Sequence, residues 1–161
     1  MTFVGGVTLP GLGTGAGFAL WTFRAMASGC NGCNVLRRGF DRAFGEGGPR
    51  AFDEMRQFTR LLGNAGTRRI LLAGSGCCRV TADELSMVAV LAAAQDHDYD
   101  RCKAHLCWLM GGREDSAAIT AASRVASVFQ VAGLQIIAPS IELSMETKPL
   151  RGTVLSEVGH A

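Results

Sequence analysis

Apolar and polar residues alternate along the chain so as to predict six helical stretches separated by short extended ones. From Asn31 to Phe44, the apolar residues Cys33, Leu36, Phe40, Ala43 and Phe44 recur at helical spacing, with Arg37, Arg38, Asp41 and Arg42 on the other side. Pro49 suits the first turn of the next helix, whose inward face is Phe52, Met55, Phe58 (or Thr59) and Leu62 and which stops in Gly63-Asn64-Ala65-Gly66. These two helices read as an antiparallel pair with an arginine-rich outer face. A more apolar helix from about Gly17 to Ser28 precedes them.

The local signals agree best between Arg68 and Ala94. Ile70-Leu71-Leu72 reads as a short buried strand, Gly74-Ser75-Gly76 as a turn, and Cys78 to Val80 as a second strand leading into a helix. Thr81 is a good N-cap with Glu84 three residues on, so hydroxyl and carboxylate can each take a first-turn amide. Asp83 adds negative charge at the positive end of the same helix. Leu85, Val88, Ala89 and Ala92 form its stripe. Asp98 can cap a further helix to Met110, with Tyr99, Cys102, Leu106, Leu109 and Met110 inward. Asp115 or Ser116 can cap the last, with Ala118, Ala122, Val125 and Phe129 inward, ending at Gly133. Leu134 to Ile137 reads as a strand beside Ile70 to Leu72, and Ile141 to Met145 as an edge strand.

The fold class expected from this pattern is α+β and predominantly helical: five or six helices around a small two- or three-stranded sheet. Residues 1–16 read as a flexible Gly-rich arm, 17–145 as a single globular domain and 146–161 as a loosely ordered tail. With 48% hydrophobic and 19% charged residues, a chain of 161 residues can bury one core without staples. No apolar run approaches the ~20 residues that cross a bilayer. The net charge of +2 conceals an asymmetry, since ten arginines face four acids in residues 1–80 and six basic residues face ten acids in 81–161. The basic half is expected to be met by the acidic half rather than by nucleic acid, because no run of like charges forms a tail.

Ala27-Ser28-Gly29-Cys30 resembles a lipid-attachment site, but the interrupting glycines, Pro10 and Arg24 argue against an export signal. Gly11-Leu12-Gly13-Thr14-Gly15-Ala16 fits a dinucleotide-binding pattern, which needs a strand, a tight turn, a helix N-terminus and a later acid. Pro10 and the placement of Asp41 in a helix weigh against it.

The cysteines carry the candidate chemistry. Cys30 and Cys33 are spaced C-x-x-C, Cys77 and Cys78 are adjacent, and Cys102, His105 and Cys107 are spaced C-x-x-H-x-C. Zinc needs four thiolate or imidazole ligands, and residues so spaced can supply a pair each. The wide gap between half-sites, and the placing of Cys33 and Cys102 on core stripes, favour small apolar filling instead. The exposed member of Cys77 and Cys78, beside Arg79 and near the Thr81 helix start, is the best candidate for a reactive thiolate. Arg37, Arg38, Arg42, Arg68 and Arg69 could hold phosphates without reading sequence, although few aromatics interleave with them.

The run Cys77-Cys78-Arg79-Val80-Thr81-Ala82-Asp83-Glu84 resembles small bacterial proteins of undetermined activity that place a cysteine-rich turn before a capped helix. That resemblance implies a bacterial origin and no mechanism, cofactor or partner. The leading expectation is a non-enzymatic, cytoplasmic interaction or regulatory protein with a protein partner. Its alternatives are a zinc or iron–sulfur module and a thiol redox protein.

Overall fold

A computed structural model describes residues 2–140. Within them the chain is predominantly helical α+β, with six α-helices and one two-stranded antiparallel sheet. Strand β1 (Phe3–Thr8) leads through a 3-10 turn into α1 (Thr14–Ala27). Helices α2 (Asn34–Phe44) and α3 (Gly48–Ala65) follow. Strand β2 (Arg79–Thr81) then runs directly into α4 (Ala82–Gln95), succeeded by α5 (Tyr99–Leu109) and α6 (Ser116–Val131). Every helix expected from periodicity is present.

Helix α4 is the hub, packed against α1, α5 and α6. Met87, Val90, Leu91, Ala93 and Ala94 are buried along with the expected Leu85, Val88, Ala89 and Ala92, so α4 has no solvent face beyond its ends. Its alanines let neighbours approach closely. Helix α3 packs on α1, α2 and α6. An aromatic cluster fills the space at one end: Phe18 meets Phe40 edge-on at 5.1 Å and Phe44 meets Phe129 at 5.0 Å.

The sheet differs from the expected one. Its strands are β1 and β2, so part of the stretch read as a flexible arm is paired; Phe3 stands opposite Thr81 and Thr8 opposite Arg79. The two pairs differ in register, and Gly6 at φ +75° lies between them, where a side chain would be strained. The Arg79 guanidinium sits 4.0 Å from the Phe3 ring centre and ties the strands further.

Neither Ile70 to Leu72 nor Leu134 to Ile137 is a strand. Both are irregular segments whose main chain bonds to side chains of α4 instead of to a ladder. Gln95 donates to the carbonyls of Ala126 and Leu134 (3.3 and 3.0 Å) and accepts from Ile136 N–H (2.8 Å). The segments expected as an edge strand, Ile141 to Met145, and as a tail, 146–161, lie outside the described residues.

Candidate functional site

An arginine inside the apolar helix α1 is costly to bury unless it is paired and hydrogen-bonded. Arg24 is 2% exposed and meets Glu84, 0% exposed, across 60 residues of sequence. Nε donates to Glu84 Oε1 at 2.6 Å and Nη2 to Oε2 at 2.8 Å. The guanidinium also donates to the carbonyls of Cys77 and Arg79, both at 2.7 Å. The carboxylate accepts two main-chain amides as well, from Ala73 (2.9 Å) and Thr81 (2.8 Å). All of its acceptor directions are thereby used. Thr81 Oγ1 accepts from Glu84 N–H at 3.1 Å, completing the expected capping box.

A second ion pair lies beside the first. Arg68 grips both oxygens of Asp83 and is stacked 4.9 Å from the Trp108 ring centre. Asp83 Oδ2 also accepts from Leu71 N–H at 2.8 Å, and Leu71 O accepts from Thr81 Oγ1 at 2.7 Å. The N-terminus of α4, through Thr81, Asp83 and Glu84, therefore holds one edge of the segment 71–73. The sequence shows the capping box, but it does not show that its glutamate also neutralises Arg24. The available signal was Arg24 itself, a lone charge in an apolar helix.

This segment forms one wall of a cleft of about 650 Å³, with the C-terminal parts of α1 and α3 opposite. Phe23, Met26, Leu62, Ile70 and Leu72 supply apolar surface. Arg24, Arg60, Arg68 and Arg69 also line it, and among the described residues no acidic one does. Arg24 and Arg68 are neutralised by Glu84 and Asp83. Arg60 and Arg69 are exposed and have no ion-pair partner among the described residues.

The sequence-predicted cysteines are dispersed. Cys30 and Cys33 form a disulfide in the turn between α1 and α2, with Asn31 between them on the rim of the cleft. Cys33 was expected on a buried stripe but sits half-buried at the N-cap of α2, because that helix begins one residue after it. Cys78 is the exposed member of its pair, and Cys77 is half-buried. Cys102 is fully buried, as its stripe position predicts. Burial first, and then the nearby Asp98 carboxylate, push its thiol up to about 11. His105, half-buried on α5, is held below the usual imidazole range by burial and then by Arg101. Cys107 is half-buried on the same helix. Among the described residues no three His, Cys, Asp or Glu side chains gather where one metal ion could be held. The seven candidates Cys30, Cys33, Cys77, Cys78, Cys102, His105 and Cys107 thus do not meet in one site.

The Gly11 to Ala16 pattern does follow a strand and open a helix. However, β1 belongs to an antiparallel pair, and the Gln135 carbonyl packs where a Gly15 side chain would lie, so the small residue serves close packing. No described helix is long and apolar enough to cross a membrane. Comparison of the chain with protein-family models, curated proteins and solved structures gave no match.

Proposed function

We propose that this is a non-enzymatic interaction or regulatory protein, and that the cleft beside residues 68–75 holds a segment of a protein partner. The observation that carries this reading is the unbalanced charge of the cleft: among the described residues four arginines and no acid line it, and only two of the arginines are neutralised. An occupant supplying carboxylates and apolar side chains matches both the rim and the floor. Selection from a random peptide library against the full chain tests the idea. Acidic, apolar peptides should be enriched, and the charge reversal R60E/R69E should weaken them by tenfold or more. A library that yields no binder, or binders indifferent to that reversal, refutes it.

The Cys30–Cys33 disulfide favours a second reading, thiol–disulfide exchange. A partner's two thiols would attack this bond in turn, leaving Cys30 and Cys33 as thiols and the partner as a disulfide. The positive end of α2 at Cys33 stabilises a leaving thiolate there. Incubation with reduced thioredoxin, followed by thiol counting, separates the two readings. Two newly reactive thiols at Cys30 and Cys33 support exchange, and an unreduced pair rules it out.

A further inference from the structure

The main chain of the cleft wall has one satisfied edge and one open edge. Leu71 bonds through both its N–H and its C=O to the N-terminus of α4, and Ala73 N–H does the same. In extended chain successive residues direct these groups to opposite sides. Bonds to the start of α4 fall here on alternate residues, Leu71 and Ala73, as in an extended segment, and among the described residues neither Ile70 nor Leu72 has a hydrogen-bond partner for its N–H or C=O.

We infer that Ile70 to Leu72 is a strand-addition site: an extended, acidic peptide segment of a protein partner pairs with this edge and completes a ladder that the described residues leave half made. The inference rests on the interaction-protein reading and supplies its mode of recognition. Three features select the occupant. The free donors and acceptors of alternate residues match the spacing of another extended chain, which an irregular or helical segment does not present. Arg60 and Arg69 line the same cleft and have no ion-pair partner among the described residues, which favours carboxylates on the incoming strand. Leu71, 43% exposed, offers an apolar cross-strand neighbour. The edge is also pre-organised, because the carboxylates of Asp83 and Glu84 hold its other side in place, so little ordering remains to be done on binding.

The test uses the full chain and a capped peptide of about eight residues alternating glutamate with valine, in extended conformation. Two sets of N-methylated versions are compared, one at odd and one at even positions, since only one set removes donors that face the ladder. In the set that faces it, each methyl group should weaken binding about tenfold or more, whereas the other set binds as the parent does. Amide exchange at Ile70 and Leu72 should slow on binding. Peptide binding that depends on Arg60 and Arg69 but is indifferent to both methylation sets overturns strand addition and leaves the interaction reading standing. No binding by any peptide removes both. Displacement of the peptide by a single-stranded oligonucleotide that binds more tightly overturns the choice of a protein partner.

Discussion

Replacing Arg24 with methionine leaves Glu84 buried with two amide donors and no counter-charge. Removing one partner of a buried pair costs about 3–5 kcal/mol, a large part of the roughly 5–15 kcal/mol that holds a domain of this size. The double variant R24M/E84L is the more informative. For an isolated buried pair, an apolar substitute is often neutral or stabilising, because the desolvation of two charges is avoided. Here the pair also serves the main chain. Without Glu84, the amides of Ala73 and Thr81 lose their acceptor while 5% and 1% exposed, at about 1–3 kcal/mol each. The double variant should therefore stay about 2–6 kcal/mol less stable than the parent, while the two single changes combine less than additively. Urea unfolding followed by far-ultraviolet circular dichroism measures this from the midpoint and slope. Amide exchange at Ala73 and Thr81 should accelerate more than exchange in the middle of α4. A double variant as stable as the parent would show that the carboxylate–amide bonds hold nothing, and the account of the cleft wall would fail with it.

Three further outcomes follow from particular contacts. Thr81→Ala removes a capping hydroxyl and the donor to Leu71 O, and should lower the unfolding free energy by about 1–2 kcal/mol in the same urea assay; an unchanged midpoint contradicts the cap. Gly15→Ala puts a methyl group against the Gln135 carbonyl, so about 1–3 kcal/mol of overpacking should outweigh the ~1 kcal/mol gain in helix propensity, and a rise in Tm would show that the contact yields freely. Cys102 keeps its proton to about 11 when folded, against 9.0 for an ordinary thiol, so its contribution is fully present below pH 9 and is lost as pH rises towards 11. About two units correspond to about 3 kcal/mol, and Cys102→Ala should remove that part of the alkaline decline in Tm, although it lowers stability at neutral pH through the lost packing.

The sequence by itself determined what depends on neighbours a few residues apart. Helical periodicity located all six helices, Asp98 and Asp115 cap α5 and α6 as their positions suggest, and Thr81 with Glu84 forms its box, because these bonds span only two or three residues. The inward direction of Cys102 was legible for the same reason. What the tertiary structure decided is where long-range hydrogen bonds go. Apolar runs such as Ile70 to Leu72 and Leu134 to Ile137 read as strands, yet Leu71, Ala73, Leu134 and Ile136 bond through their main chain to Asp83, Glu84 and Gln95 of α4, while the glycine-containing stretch Phe3–Thr8 takes the place beside β2. A propensity states that a segment favours extension; it does not state which donor or acceptor will stand opposite. Likewise Arg24 declared that it needed a counter-charge, but only the packing of α1 against α4 placed Glu84 within 2.6 Å of it and opened the arginine-lined cleft alongside.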